Sequence, residues 1–336
     1  MNSFGKLFSI SIYGESHGES VGIVVDGCPS GILLKHSDFN ADFSRRKSGA
    51  KGTTPRREPD VPRIMSGVFN DRTTGAPIMI MFENSNTRSR DYSNLVQTPR
   101  PGHADFTAQH KFGGYQDYRG GGHFSGRLTL GLVAAGVIAK KVIDPMNVVG
   151  IILEVGGSSD IEAAIDRAVE LKDSIGGIIE CRIGNVPIGL GEPFFDSVEA
   201  VMSHMVFSIP AIKGIEFGTG FQAAKMTGSA HNDNIMDVDG TTETNHAGGI
   251  NGGITSGNEV VFRVAVKPTS STHQNQVTMN MKTGKMEDLI IEGRHDTCIA
   301  LRVPVVVEAA AAVVMADFLL QSQQVGRINE TTNEIR

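Results

Sequence analysis

Residues 127–142, RLTLGLVAAGVIAKKV, form the stretch from which the architecture follows. After Arg127 the stretch is uncharged until Lys140 and Lys141, which fall in the last helical turn, where cations suit the helix dipole. A helix that is apolar on all sides is normally buried. A second stretch, VPVVVEAAAAVVMADFLL at 303–320, has Pro304 at its first turn and is rich in Ala and Val. The sequence therefore predicts two long apolar helices, the first of them buried.

Shorter apolar runs around these helices predict strands at 7–13, 21–27, 74–82, 178–183 and 258–266. Residues 159–175 predict an amphipathic helix, with a capping box in Ser159 and Glu162 and a stop at Gly176. Strands and helices come in runs rather than in strict alternation, which favours an α+β fold over a doubly wound parallel sheet. Since no Pro- or Ser-rich linker divides the chain, we expect residues 1–336 to form a single domain.

The composition excludes some classes of function. The formal net charge is −6, whereas proteins that grip nucleic acid through its phosphates usually carry a basic surplus. Cys28, Cys181 and Cys298 are too few and too widely spaced for a disulfide framework or a zinc site. The 40 glycines are nearly twice the usual share of about 7%, which indicates many tight loops.

Neither the N-terminal sequence nor the apolar runs predict a membrane protein. The N-terminus lacks the pattern of a signal peptide, and no apolar run reaches the roughly 18 residues expected of a membrane helix. We therefore expect a cytoplasmic protein that binds neither membrane nor nucleic acid.

Three loops combine histidine with glycine and with acidic or hydroxyl residues, at 14–18, 102–110 and 293–296. Histidine is the natural general acid or base near neutral pH, and neighbouring glycines leave room for a substrate. If the loops cluster in space, they form a proton-transfer site. The alternative, stronger for any one histidine alone, is that each ring only braces a turn.

Basic residues concentrate in the loop SRRKSGAKGTTPRREPD, at Arg45, Arg46, Lys47, Lys51, Arg56 and Arg57. Arginine and lysine among Gly and Thr suit a clamp for phosphate and carboxylate groups, although charge runs are usually solvated faces. The solvated-face alternative is weaker here, because Arg119, Arg127 and Arg294 flank the histidine loops of an acidic protein. Lys267 with Thr269, Ser270 and Ser271 offers a further phosphate cradle.

Gly121 and Gly126 have the spacing of a nucleotide-binding P-loop and precede a helix. Arg127-Leu128 stands where that motif requires Lys-Ser/Thr, so the side chains for nucleotide phosphate and magnesium are missing. An anion at the helix N-terminus and simple tight packing both remain open. His103, Asp105, His110 and His123 also leave a metal site open, although their spacing is common.

Several motifs together resemble one known family in order and spacing. They are Tyr13-Gly-Glu-Ser-His17-Gly, the Arg45-Arg46 loop to Thr53-Thr-Pro-Arg-Arg-Glu-Pro-Asp60, Arg100-Pro-Gly-His103-Ala-Asp105-Phe, Arg119-Gly-Gly-Gly122, Asn245-His246-Ala-Gly-Gly-Ile, Lys267-Pro-Thr-Ser-Ser271 and Gly293-Arg-His-Asp296. The chain resembles the chorismate synthase family over nearly its whole length.

The resemblance implies a helical core between β-sheets and a homotetramer. It implies a lyase that forms chorismate by anti-1,4-elimination of phosphate and a ring hydrogen from 5-enolpyruvylshikimate-3-phosphate, the last step of the shikimate pathway. Reduced FMN lends an electron to the allylic system and recovers it. NADPH is one source of the reducing equivalents, but no reductase domain or Rossmann fingerprint is visible, so we expect an external flavin reductase.

The resemblance also implies roles for individual residues. His17 would protonate the departing phosphate, His103 would protonate or steady the reduced flavin, and Asp296 would help the flavin N5 accept the ring proton. The implied flavin contacts are His123, Phe124, Ser125, Pro210, Ala211, Gly252, Lys267, Pro268, Thr269, Ser270, Ser271 and Arg294. The implied substrate contacts are Arg45, Arg46, Lys51 and Arg127, and no metal is expected.

The chain departs from the commonest family pattern at His123-Phe124, Pro210 and Thr297. A protonated His123 can replace part of an arginine's anion contact, so we expect the fold and the reaction to survive. Two rival functions are a metal-dependent phosphohydrolase built on His103, Asp105 and His110, and a non-catalytic binder of anionic metabolites or nucleotides.

Overall fold

The structure, a computed structural model, describes residues 2–55, 58–85, 95–291 and 295–322. The strands within these residues are β1 (Ser3–Phe4), β2 (Ser9–Gly14), β3 (Ser20–Asp26), β4 (Arg63–Ile64), β5 (Val68–Phe69), β6 (Arg72–Thr73), β7 (Ile78–Glu83), β8 (Asn147–Val155), β9 (Gly177–Gly184), β10 (Ile212–Phe217), β11 (Ile250–Asn251), β12 (Ile254–Thr255), β13 (Val260–Val266), β14 (Gln276–Asn280) and β15 (Lys285–Leu289). The α-helices are α1 (Asn40–Arg46), α2 (Asp105–Lys111), α3 (Thr129–Val142), α4 (Ile161–Glu170), α5 (Val198–Val206), α6 (Gly228–His231) and α7 (Pro304–Ser322).

Two antiparallel sheets enclose a pair of helices. The first sheet has the strand order β1-β2-β3-β7-β4, and α3 packs against it; the second has the order β10-β13-β9-β8, and α7 packs against it. Alternate residues of β7 are fully buried, as the period of two requires for a strand with one face on the core. The resulting layers are sheet, helix, helix and sheet. The predicted α+β fold with a helical core between β-sheets is confirmed.

Small residues let the layers approach closely. A Cβ built on Gly136 of α3 falls 2.3 Å from the Cβ of Ala309 on α7, and one on Gly131 falls 3.0 Å from the carbonyl oxygen of Gly22 on β3. Real side chains do not tolerate the first distance. Glycine is therefore required where α3 crosses α7.

Helix α7 is apolar along its length and buried from Pro304 to Phe318. Its 19 residues have a mean hydropathy of 1.7 in the most apolar window, so by length and composition alone it could cross a membrane. The expectation that no apolar run is long enough to span a membrane is corrected here. Since 78% of the window is buried inside the protein, however, the helix has the character of a core helix.

Two acidic side chains interrupt the apolar surface of α7, and both are fully bonded. Asp317 accepts hydrogen bonds from the backbone N–H groups of Lys6, Leu7 and Phe8, which ties the N-terminal segment to the core. Glu308 accepts from both terminal nitrogens of Arg45, from Lys140 and from the backbone N–H of Gly150. These bonds explain how carboxylates sit within the central layer.

Most predicted elements are confirmed, with shifted bounds. Helix α4 is an exception in detail: it ends at Glu170 rather than near Gly176, and its N-cap is Asp160, whose carboxylate accepts from the N–H of Ala163. The capping box assigned to Ser159 and Glu162 was therefore wrong by one residue, because Asp160 competes with Ser159 for the same role. The single-domain interpretation stays a prediction.

Candidate functional site

A cavity of about 990 Å³ opens where the amino-terminal ends of α3 and α7 meet the edges of the two sheets. Its apolar wall includes Leu132 of α3, Val306 of α7, and Ile10 and Ile12 of β2. Loops supply the polar part of the lining, at residues 100, 102–104, 120, 123–126, 208–211 and 267–271. Both helix N-termini carry partial positive charge, so the cavity favours anions before any side chain is counted.

The charged side chains of the lining add to this bias. Among the described residues, three are acidic and seven are basic; the acidic ones are Glu58, Asp60 and Asp296, and the basic ones are Arg46, Lys47, Arg100, Arg127, Lys213, Lys267 and Arg302. The lining carries a positive balance of charge although the whole chain has a net charge of −6. This contrast indicates that the cavity binds anions.

Arg46, the last residue of α1, is buried beneath the cavity. Its guanidinium donates to Thr129 Oγ1 at 3.1 Å and to the carbonyl oxygen of Gly126 at 2.9 Å, so it is fixed at the start of α3. Burial lowers the pKa of Arg46 to about 9, assisted by the charges of Arg302 and Arg127 and opposed by Asp60. The group still carries its charge at neutral pH, and that charge lacks the solvation it would have in water.

Arg127 is held by polar contacts on three sides. Its guanidinium forms a short ion pair with Asp60, donates to Asn84 Oδ1 at 3.1 Å, and reaches the carbonyl oxygen of Glu83 at 3.4 Å. Asp60 is itself buried and has φ of +53°, a strained conformation for a side-chain-bearing residue. The loop thus ends in a carboxylate that lies between Arg127 and Arg46, which are 3.7 Å or less from it.

His103 forms a tight cluster with Asp105 and Arg100. His103 Nδ1 lies 2.6 Å from Asp105 Oδ1, and Arg100 donates to both carboxylate oxygens, from Nε at 2.7 Å and from Nη2 at 2.8 Å. Burial alone would raise the pKa of Asp105, but the hydrogen bonds from Arg100 and His103 outweigh it and hold the pKa well below its ordinary value. Arg100 also donates to Ser271 Oγ, which joins this cluster to the 267–271 loop.

His17 lies over the glycine run that follows Arg119. Gly120, Gly121 and Gly122 all have positive φ, and a Cβ on Gly120 would come within 2.5 Å of the His17 ring. A Cβ on Gly121 would lie 3.4 Å from His103 Nε2. Consecutive residues of the run therefore contact the two predicted catalytic histidines. His17 itself is buried and lies behind Gly120, which is the residue that lines the cavity.

Asp296 also lines the cavity. Its carboxylate accepts from the N–H of Thr54 at 2.9 Å and from Arg302 Nη1 at 3.1 Å to each oxygen. Its own carbonyl oxygen accepts from Thr269 Oγ1 at 2.9 Å. The predicted catalytic carboxylate is thus oriented by two loops and by an arginine that sequence reasoning did not select.

The 267–271 loop supplies five consecutive residues to the cavity wall: Lys267, Pro268, Thr269, Ser270 and Ser271. Lys267 Nζ donates to the carbonyl oxygen of Gly102, so the loop is bound to the Arg100–Asp105 cluster at both ends. Burial lowers the pKa of Lys267, and the charge of Lys213 lowers it further. A second cation that lowers this pKa is evidence that positive charge is concentrated here.

Five more of the predicted flavin contacts lie at the cavity. His123, Phe124, Ser125, Pro210 and Ala211 line the cavity. His123 is already engaged, since Nδ1 lies 2.8 Å from the carbonyl oxygen of Gly14 and Nε2 lies 3.2 Å from Asn2 Oδ1. Ser125 Oγ accepts from the N–H of Arg127 and caps the turn that leads into α3.

The structure does not bring every predicted residue to the cavity. Arg45 points to Glu308 in the core, and Lys51 pairs with Asp166 on the outer surface. Gly252 lies in the β11–β12 turn, outside the lining. Arg294, like Arg56 and Arg57, falls outside the described residues.

Sequence reasoning passed over Arg100, Asp60, Arg302 and Lys213 as site residues. Arg100 was detectable, because it precedes the Pro-Gly turn of a histidine loop. Arg302 and Lys213 stand alone in apolar sequence and give no local signal. Asp60 was visible only as the end of the basic loop.

The four residues considered for a metal are not arranged as one ligand set. His103 and Asp105 bond to each other, His110 stacks edge-on against Phe106 at 4.4 Å, and His123 bonds to the Gly14 carbonyl oxygen. Among the described residues, no group of three or more His, Cys, Asp or Glu side chains is arranged to hold a metal ion.

The comparisons with known proteins agree with one another. Residues 8–320 match the family model described as chorismate synthase. A chorismate synthase of Chitinophaga pinensis is 63% identical over 329 residues, which cover 98% of this chain and 99% of that protein. Those of Dehalococcoides mccartyi and Synechocystis are 45% and 42% identical, covering 97% and 96% of this chain and 99% and 98% of theirs.

A solved structure described as "Crystal Structure of Chorismate Synthase" superposes on this one with a TM-score of 0.74. The match covers 95% of this chain and 93% of that one at 24% identity. At that identity the superposition supports the fold, and the sequence relatives support the family.

Proposed function

Since the chain belongs to the chorismate synthase family of carbon–oxygen lyases, we propose that it eliminates phosphate from 5-enolpyruvylshikimate-3-phosphate to give chorismate. The observation that carries this proposal is the cationic cavity whose glycine run contacts both His17 and His103. A substrate with one phosphate and two carboxylates needs several cations, and an elimination needs groups that move protons.

Arg46 and Arg127 are the proposed substrate cations. Both are buried, both are fixed by hydrogen bonds, and both lie beside the start of α3, where backbone N–H groups also attract anions. Asp60 between them offsets one positive charge, so the pair keeps the capacity to bind an anion without two unpaired buried charges. Arg302 is a candidate for the remaining anionic groups of the substrate.

Reduced FMN fits the cavity by size and by lining. Ligand pockets usually have about 300–1,000 Å³, and the 990 Å³ here has room for a flavin beside a small substrate. Apolar side chains such as Ile10, Leu132 and Phe124 suit a flat aromatic ring, and Lys267 and Lys213 suit its phosphate. When bound, reduced FMN supplies the transient electron that the allylic elimination needs, with no net oxidation. The proposed holding residues are 123–125, 210–211 and 267–271.

We propose that His17 gives a proton to the departing phosphate and that Asp296 helps to receive the ring proton. The Gly120 carbon lies against the His17 ring without a side chain to block it, so a phosphate at the glycine run is within reach of this histidine. Asp296 is kept in place by Arg302 and the Thr54 amide. His103 is proposed to steady the reduced flavin or to give it a proton.

The assembly and the reducing system are further parts of the proposal. Large apolar side chains are largely exposed at Phe194, Phe195, Phe221 and Val238, and such exposure is typical of surfaces that pair with another subunit. A homotetramer accounts for them. We expect FMN to be reduced by a separate flavin reductase, with NADPH as a source of electrons, in the cytoplasm.

The test is an anaerobic assay with chemically reduced FMN and 5-enolpyruvylshikimate-3-phosphate, with phosphate and chorismate followed together and oxidised FMN as the control. Equal release of both products with reduced FMN alone is the expected result. Phosphate without chorismate, or phosphate release that a chelator abolishes, would favour the phosphohydrolase.

Variants separate the lyase from a binding protein. His17→Ala and His103→Ala are expected to lower kcat by about 100-fold or more, because general acid–base groups contribute roughly 100- to 10,000-fold. FMN affinity, measured by fluorescence quenching, should change little in His17→Ala. Full ligand affinity in a wild-type protein without turnover would identify a non-catalytic binder.

A further inference from the structure

We propose that Asp105 is the positioning residue of His103: it holds the Nδ1 proton, so that Nε2 is the nitrogen that exchanges protons in the cavity. This inference rests on the proposed function for its catalytic meaning. The hydrogen-bond arrangement itself does not depend on the function.

The short contact identifies where the proton lies. Nδ1 of His103 and Oδ1 of Asp105 are 2.6 Å apart. An ionised carboxylate only accepts hydrogen bonds, so a bare Nδ1 at this distance would oppose two lone pairs. A proton on Nδ1 turns the same contact into a short charge-assisted hydrogen bond.

The surroundings keep Asp105 ionised. It is the first residue of α2, where the dipole favours a carboxylate, and Arg100 donates to it from Nε, Nη2 and the backbone N–H. The pKa of Asp105 is held well below its ordinary value, since the hydrogen bonds from Arg100 and His103 outweigh the effect of burial. Asp105 therefore has no proton to offer His103 at neutral pH.

Arg100 Nη2 also lies 3.0 Å from His103 Nδ1, which raises the opposite assignment, with Nδ1 as an acceptor. The same nitrogen is 2.8 Å from Asp105 Oδ1, a better acceptor because it is charged. The opposite assignment would leave the 2.6 Å contact repulsive. If Asp105 Oδ1 accepts from both Arg100 Nη2 and His103 Nδ1, all three side chains have a hydrogen-bond partner.

Nε2 is then the ring nitrogen left for proton exchange. A Cβ built on Gly121, in the glycine run that contacts His17, would lie 3.4 Å from Nε2. His103 lines both the main cavity and a small second pocket, whereas Asp105 and Gly121 line only the small one. Asp105 thus acts through His103 without contact with the substrate, as an orienting carboxylate acts on a catalytic histidine in other enzymes.

The test measures the protons on the ring directly. Full-length protein with 15N-labelled histidine, assigned with a His103→Gln sample, is titrated upward in pH by solid-state NMR. In the wild type, Nε2 is expected to lose its proton and Nδ1 to keep it. A wild-type ring that keeps its proton on Nε2 would overturn the proposal, even if no variant folds.

The Asp105→Asn variant provides a second test, in which the His103 tautomer and kcat are both measured. Arg100 should bind the amide oxygen, which turns the amide NH₂ toward His103 and forces the proton to Nε2. We expect the tautomer to reverse and kcat to fall about 100-fold or more, with KM for the phosphate substrate within about threefold. An unchanged tautomer in Asp105→Asn would contradict the assignment.

Asp117→Asn is the matched control. Asp117 makes the same set of bonds to Arg119, from the backbone N–H, Nε and Nη2, and it lines the same small pocket. It should leave the His103 tautomer as in the wild type, because its carboxylate bonds to Arg119 and not to His103. A tautomer that also reverses in Asp117→Asn would show that any carboxylate lost here disturbs the loop, and would refute the specific role. If the wild type has the expected tautomer but no lyase turnover, the proposed function fails and the hydrogen-bond assignment stands.

Discussion

Replacing Glu308 by glutamine tests the ion cluster at the centre of the helical core. The side chain keeps its shape but loses its charge, while Arg45, Lys140 and the Gly150 amide stay in place around it. The carboxylate is 2% exposed and receives bonds of 2.7 and 2.6 Å from Arg45, 3.0 Å from Lys140 and 2.8 Å from the Gly150 N–H.

The size of the destabilisation depends on how far Arg45 and Lys140 can replace their lost carboxylate partner. Removing one partner of a fully buried pair costs roughly 3–5 kcal/mol. Here Arg45 is 44% exposed and Lys140 is 26% exposed, and Lys140 keeps Asp42 at 2.8 Å. Water and Asp42 therefore offset part of the loss, and we expect Glu308→Gln to lower the free energy of unfolding by about 2–3 kcal/mol at pH 7.

The stability difference between the two proteins should depend on pH. Burial raises the pKa of Glu308, but the Arg45 hydrogen bond and the Lys140 charge dominate and leave it below the ordinary value of 4.5. A carboxyl group with a lowered pKa in the folded state stabilises the protein above its unfolded pKa, and this stability is lost as pH falls through the folded pKa. The wild type and Glu308→Gln should therefore differ fully at pH 7 and converge below 4.5.

Urea unfolding curves for both proteins at neutral and acidic pH supply the measurement, with exposed Glu170→Gln as the control. Glu170 lies at the surface end of α4, so the same chemical change should shift stability by no more than about 0.5 kcal/mol. Equal midpoints for wild type and Glu308→Gln at pH 7, or a deficit that stays constant in acid, would refute the reasoning.

Three further changes test other parts of the structure. Gly136→Val should destabilise the protein by about 1–3 kcal/mol or more in thermal melts, because its Cβ must displace Ala309; a wild-type melting temperature would show that the helices can separate freely. Asp317→Ala leaves three backbone amides of the N-terminal segment without their acceptor, and should cost about 2–4 kcal/mol and speed proteolysis of that segment; unchanged proteolysis would contradict this. In the lyase assay, Arg127→Ala should raise KM for the phosphate substrate about 10-fold or more, while Lys51→Ala, which lies outside the cavity, should change it less than twofold; the reverse order would restore Lys51 as a substrate contact.

The central helices were predictable because burial there is a local property of the sequence. From Leu130 to Ala139 every residue of α3 is buried, and the apolar run shows this without knowledge of the partner. The two acids of α7 were not predictable in the same way, since Asp317 bonds to amides more than 300 positions away. Helix α2 has seven residues and a polar sequence, so no period could reveal it.

The site illustrates a second limit. Arg45 and Arg46 are neighbours with the same chemistry, and the basic loop gave no reason to separate them. They lie on different faces of α1, so one reaches the core carboxylate of Glu308 and the other reaches the start of α3. Which arginine faces a ligand depends on contacts made by residues 80 or more positions away, and a local pattern carries no information about them.

The glycine run makes the two histidines mechanically dependent on each other. His17 and His103 are far apart in sequence, yet the ring of each packs against one of two adjacent residues, Gly120 and Gly121. A displacement of that single peptide moves the surroundings of both rings at once. Directed evolution that seeks a wider cavity should therefore find few tolerated substitutions in this loop, and adaptation to new substrates should come from other lining residues, such as Pro210 and Lys213.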